Sequence, residues 1–398
     1  MDDSQANPFP MAPMPASILA EREAERRNHL VQLGYLKTAC PEIDDYVLLG
    51  GLERGHVVGL SAEEEAFGMA LGLQILSRAL LERASLRALI VTPKPAGVIL
   101  RSLRDGIRAE LVHEGTPAGV VEQRVAATLD SVMLSCVFDM DGLWEVLADL
   151  DAERKPPSPP VEDAAAEIQD SQDETSSSSP SPPAESPSTP SLILITHFSS
   201  LLTSLFTQRA GPSAHASLSL LSSRLRHLAR SLPSHPLVLV LNATSSSDPR
   251  GPESGNRPSA AARPLDPSLR SIFSPPPLPI PGYVSTSARR NKPLFGLVFT
   301  QLLDLHLLAS RVPRTRADAE AALGTSAPRT AFVTVVEVLL DEMGLWTGAM
   351  GRRPSREQRW AAVQLSAGRV VDAFGKRDVT DAAGIRTSTS GGFGGRRP

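Results

Sequence analysis

The sequence predicts an α/β protein: a mostly parallel sheet with helices on both faces, antiparallel edge strands near the C-terminus, and long inserts that do not fold. Three observations carry this. Short apolar runs at 56–60, 86–92, 192–195 and 237–241, interrupted only by His56, Arg87 and Thr92, lack the alternation of a half-buried strand, so they belong to strands buried on both faces. Segments of helical spacing lie between them, as crossover connections in a parallel sheet require. Finally, 41% apolar residues are enough for a core, yet 35 prolines and only 4% aromatics point to segments that cannot join it.

Residues 1–16 are expected to be disordered, with Ser17 capping a charged helix over 18–33 that Gly34 ends. Residues 43–51 turn into Gly55 and the first strand. A helix over 67–83 follows, its stripe formed by Leu71, Ile75, Leu76, Ala79 and Leu80. The strand at 86–92 stops at Pro93. A helix near 99–111, a strand at 132–138 and a helix over 143–150 come next. Residues 156–190 then hold nine prolines, nine serines and no Lys, Arg or aromatic residue. Order resumes with the strand at 192–195, helices marked by Leu201, Leu202 and Leu205 and by 218–232, and the strand at 237–241. A second Pro-rich stretch, 244–293, carries seven Lys/Arg against three Asp/Glu. Segments 294–308, 332–340 and 360–374 complete the ordered part, the last two as antiparallel edge strands. The expected organisation is therefore a disordered segment and helix (1–36), one core (37–374) interrupted by disordered inserts at 152–190 and 244–293, and a disordered basic tail (375–398).

Composition excludes several functions. Cys40 and Cys136 stand far apart with no second ligand at metal spacing, which argues against a zinc site or disulfide framework and fits a reducing compartment. No apolar run is long enough to span a bilayer, and the first residues lack a signal core. Cys136 lies in an apolar run and is expected to pack in the core. Thr196 and His197 end a strand with no nucleophile or paired carboxylate evident beside them, and no metal site is expected.

Four collinear pieces carry a resemblance. The first is Ile43-Asp44-Asp45 followed by Leu49-Gly50-Gly51-Leu52-Glu53-Arg54-Gly55-His56-Val57. The second is the strand at 192–195, the third the strand at 237–241 ending in Asn242, and the fourth the stretch from Trp360 through Gly368 to Asp372. Together they span roughly 37–374, and the chain resembles RecA-family recombinases and their eukaryotic paralogs. The resemblance implies a RecA-like, P-loop-type core, a place in DNA recombination and repair, and a nuclear location with a cytoplasmic pool.

The nucleotide site that this family would carry departs from its pattern. A phosphate loop needs glycines whose N–H groups wrap the phosphates, a Lys for their charge and a Ser or Thr for magnesium. The corresponding positions are Ala62, Glu63, Glu64, Glu65, Ala66, Phe67, Gly68 and Met69. Three glutamates against a triphosphate repel it by about 1 kcal/mol or more each, and are expected to cap the following helix instead. The metal-holding acid of the second strand is replaced by Thr196, and no glutamate stands near Val91 or Pro93. The expectation is a chain without catalytic residues, not an enzyme, and without ATP or magnesium unless its phosphate loop is non-standard.

Binding is expected elsewhere. Arg250, Arg257, Arg263, Arg270, Arg289, Arg290 and Lys292 follow Asn242, where the resemblance implies a DNA-contacting loop; mobile cationic chains suit phosphate backbones. Single-stranded DNA and a RecA-family recombinase or another paralog, in a hetero-oligomer, are the expected partners. Phe9-Pro10-Met11-Ala12 matches the F-x-x-A tether by which recombinases dock, and Phe67 and Ala70 repeat the spacing. The alternative is an accessory subunit of an Elongator-type complex in transfer-RNA modification, whose RecA-like folds also carry acidic residues after the first strand.

Overall fold

A computed structural model describes residues 14–152, 189–246, 269, 271–273, 291–323, 330–343 and 354–374. Its centre is a sheet in the order β10-β9-β8-β7-β1-β5-β4-β2-β3, with β6 hydrogen-bonded to β5 as a side branch. The six strands β1 (Val57–Ala62), β2 (Ala88–Thr92), β3 (Val132–Cys136), β4 (Leu192–Ile195), β5 (Leu237–Ser246) and β7 (Leu305–Pro313) run parallel. Strands β8 (Phe332–Asp341), β9 (Trp360–Ser366) and β10 (Arg369–Asp372) add antiparallel beyond β7. The α/β class, the parallel strands and the antiparallel C-terminal edge are as the apolar runs predict.

Strand side chains alternate between two packed layers, so the sheet is covered on both faces. One layer takes Val58, Leu60, Ile90, Leu194 and Leu239 against α2 (Glu65–Glu82), α3 (Ala96–His113) and α4 (Ala118–Leu129). The other takes Val57, Leu89, Val91, Ile193 and Val240 against α5 (Met140–Ala152), α6 (Phe198–Gln208) and α7 (Gly211–Ser231). Burying one such aliphatic side chain contributes about 1.5–3 kcal/mol. Gly59 lets β1 approach the second layer closely: a Cβ there would sit 2.2 Å from Leu303 Cδ1.

The glycine-rich approach to β1 also has a steric reason. Gly51 adopts φ 127°, and a Cβ on it would meet the Leu36 carbonyl at 2.8 Å, where Leu36 and Leu52 form an antiparallel bridge. At the other end of the fold, Ser366 pairs with Arg369 across Ala367 (φ 48°) and Gly368 (φ 80°). Two central residues at positive φ make the tight hairpin turn that matches strand twist.

Several local expectations change. Helix α1 (Ala16–Leu33) begins behind Pro15, with Ser17 inside it and no side-chain cap; Gly34 (φ 71°) ends it as expected. Helix α4 was not evident in the sequence. Cys136 is exposed, not in the core, because β3 is the edge of the sheet. The stretch 244–293 is anchored at three places. Thr244–Ser246 pair with β6 (Asn291–Pro293), Leu269 is buried, and Ile272 N–H donates to Glu337 at 2.9 Å while Phe273 stacks edge-on to Trp360.

Candidate functional site

Open α/β sheets bind ligands beyond the carboxyl ends of their strands. Here that edge is where β1 passes into α2 and where β2 and β4 end. Strand β1 stops at Ala62 and α2 begins at Glu65, so only Glu63 and Glu64 connect them. A phosphate loop wraps its ligand with several unpaired backbone N–H groups. Two residues cannot form that wrap, and Ala66, Phe67, Gly68 and Met69 are already helical. The Glu63 N–H is spent on the Ala309 carbonyl at 2.9 Å, extending the β1–β7 ladder. Phe67 is buried, which also removes it as a docking tether.

The three glutamates do not cap α2: its N-cap, Glu64, makes no side-chain cap bond. Tertiary partners take them instead. The Glu63 carboxylate accepts the Arg311 backbone N–H at 2.7 Å and an amide N–H of Asn291. Glu64 meets the Arg311 guanidinium at 2.8 Å, and that guanidinium lies 4.5 Å from the Phe332 ring centroid. Glu65 accepts from His197 Nε2 at 2.6 Å, with Lys94 Nζ at 3.7 Å.

The last contact belongs to a chain of polar groups across the strand ends. Lys94 N–H donates to Thr92 Oγ1 (3.1 Å), the Thr92 and Thr196 hydroxyls are 2.8 Å apart, and Thr196 Oγ1 is 3.0 Å from His197 Nδ1. Burial pushes His197 below its usual range, while Glu65 pulls it back up. Thr196 Oγ1 donates to Thr92 Oγ1 and faces His197 Nδ1, so the two strand ends and the ring are joined in one polar chain. His197 holds this position in the left-handed region, φ 52° and ψ 37°, as the N-cap of α6.

A hydroxyl, an imidazole and a carboxylate in series match the parts of a nucleophilic triad, and the carboxylate not evident beside Thr196 and His197 in the sequence is Glu65. In this geometry the three groups are hydrogen-bonded to one another. Thr196 and Thr92 are both 0% exposed, so no substrate reaches the hydroxyl. Thr196 ties β4 to β2. Behind this edge a second buried chain runs from Asn242 Nδ2 to Ser61 Oγ (3.2 Å), to His306 Nε2 (2.9 Å), with Thr300 on His306 Nδ1 (3.1 Å).

Of the cationic candidates, Arg250, Arg257, Arg263, Arg270, Arg289 and Arg290 lie outside the described residues. So do Phe9-Pro10-Met11-Ala12 and the tail beyond 374. Lys292 is described: it is exposed on β6 and pairs with Ser245, on a strand and not a free loop. Among the described residues no group of three His, Cys, Asp or Glu is placed to hold a metal ion, and no helix is long and apolar enough to cross a membrane. No family model and no curated protein matches the chain.

Proposed function

We propose that this chain is a non-catalytic accessory factor in DNA recombination and repair, related in plan to RecA-family recombinase paralogs. It works in the nucleus, with a cytoplasmic pool, through partner binding. The observation that carries the non-catalytic part is the two-residue link between β1 and α2, whose carboxylates are held by Arg311, Asn291, His197 and Lys94. Such a link leaves neither backbone nor cation for a triphosphate. The placing of the resembling pieces supports the recombination part. The glycine-rich turn leads into β1, the strand expected to end at Asn242 is β5 beside it, which runs on to Ser246, the 192–195 strand is β4 beyond that, and 360–372 closes as the β9–β10 hairpin.

In this reading the protein joins an active recombinase or another paralog in a hetero-oligomer, and the partner turns over ATP. Contact with single-stranded DNA runs through Arg250, Arg257, Arg263, Arg270, Arg289, Arg290 and Lys292. Affinity purification with mass spectrometry tests the assignment: recombination proteins are the expected companions, and Elongator subunits or transfer RNA in their place overturn it. Titration calorimetry with ATP and magnesium tests the other half, where no heat of binding is expected and saturable binding overturns it.

A further inference from the structure

The opposite edge of the sheet, where the strands begin, holds a charge without a partner. Arg54, between the glycine-rich turn and β1, is 2% exposed, yet its guanidinium makes no hydrogen bond and no ion pair among the described residues, and Nε is an orphan. A buried polar group almost always has a partner, and an exception marks an ion or water that belongs there. Two further orphan nitrogens are close by. Arg26 gives Nε and Nη2 to Glu23 (2.9 and 2.8 Å), but its Nη1 has no acceptor and lies 3.4 Å from where a Cβ on Gly55 would stand. The Gly55 N–H in turn donates to the His235 and Pro236 carbonyls (3.1 and 3.2 Å), which sets His235 beside this turn. Its Nδ1 is the third orphan, its backbone is at φ 41°, and its ring stands 5.0 Å from that of His29.

The chain's own carboxylates reach Arg26 but not Arg54. Glu23 is shared between Arg26 and Arg27, and Asp304 is held by Arg226 and Arg230. Glu53 acts on Arg26 and His56 rather than on Arg54. The carboxyl ends of α1, α2 and α7 lie on this side and suit cations. One of their carbonyls, Leu33 O, does hold exposed Arg83 through Nη1 at 2.5 Å. None binds Arg54. Burial and neighbouring Arg83 both press Arg54 towards its neutral form, and burial, with His29, Arg26 and Arg54, does the same to His235.

We propose that Arg54, Arg26 and His235, with Arg83 at the mouth, form a notch that binds one phosphate group. Guanidinium forks match tetrahedral oxyanions with paired N–H donors. The site is independent of the proposed function and lies at the far edge of the sheet from the β1–α2 link. Its occupant is inorganic phosphate or the phosphate of a small monoester, which share the recognised group.

Thermal unfolding of the full chain tests it, with inorganic phosphate or ribose 5-phosphate titrated against chloride at constant ionic strength. A saturable rise in the midpoint with either probe is expected, and the stronger of the two names the source. Arg54→Met should weaken the apparent affinity about tenfold or more, since it removes charge-assisted bonds, while without phosphate it should be no less stable than the parent. Arg83→Gln, at an exposed position, should fold normally and weaken binding a few-fold, which keeps the test open if Arg54→Met fails to fold. Phosphate and chloride acting alike, or unchanged affinity in both variants, overturns the notch.

Discussion

The two edges of the parallel sheet treat charge in opposite ways. Where the strands end, three adjacent carboxylates would repel one another, yet each faces a donor from another part of the chain. Where the strands begin, Asp304 is fully engaged by the Val57 N–H (2.9 Å) and by Arg226 (3.1 Å), while Arg54 a few residues away is left alone. Topology alone directs attention to the first edge, because ligands of open α/β sheets gather there. Polar satisfaction directs it to the second. A cleft whose donors and acceptors already bind one another offers a ligand little, however well placed it is in the fold.

The largest expected effect separates a satisfied charge from an unsatisfied one at the same edge. Asp304→Ala leaves the Val57 N–H and the Arg226 guanidinium without their acceptor and should cost about 3–5 kcal/mol in urea unfolding; a loss no greater than that of Arg54→Met would erase the contrast. The second effect is in pH. Burial drives His306 down to about 3, so the folded state holds it neutral. A folded pKa below the unfolded value gives stability that is complete above about 6.5 and is lost as pH falls towards 3. At about 1.4 kcal/mol per pH unit, going from pH 7 to 4 should cost about 3 kcal/mol through this group, and His306→Gln should flatten the slope of stability against pH.

A smaller effect belongs to the carboxyl edge. His197→Ala opens the Thr92–Thr196–Glu65 chain and should cost about 1–2 kcal/mol, checked by denaturant midpoint. If it costs nothing, that edge is less tightly closed than its hydrogen bonds indicate. Glu64→Gln should be the mildest, under about 1 kcal/mol, because its ion pair with Arg311 is exposed and screened by salt. It should also leave ATP binding undetectable, since the obstacle is the length of the link and not only its charge.

The sequence announced the architecture because buried parallel strands leave a local mark. The runs at 192–195 and 237–241 are apolar throughout, and both are central strands. That residues 62–69 lack the residue types of a phosphate loop was legible too, because it rests on which residues they are and not on where they sit. What the glutamates do instead was not legible. Glu65 meets His197 across 132 positions and Glu63 meets Asn291 across 228, and no local pattern encodes such pairings. Helix α4 escaped notice because Val121, Val125 and Thr128 form a thin apolar stripe among small residues. Arg54 was visible only as one letter of a glycine-rich motif. That it is buried follows from how α1, α2 and the His235 turn close around it.

Gln74, on α2, gives a last consequence. Its amide donates to the Val370 carbonyl (3.0 Å) and accepts the Val370 N–H (2.7 Å), occupying the free side of β10 as a neighbouring strand would. At the far end, β3 has no such cover among the described residues: Met133 and Cys136 are exposed on it. Among the described residues, one edge of the main sheet is thus closed by a side chain while the other keeps its ladder open, so a strand from another molecule would add at β3 and not at β10.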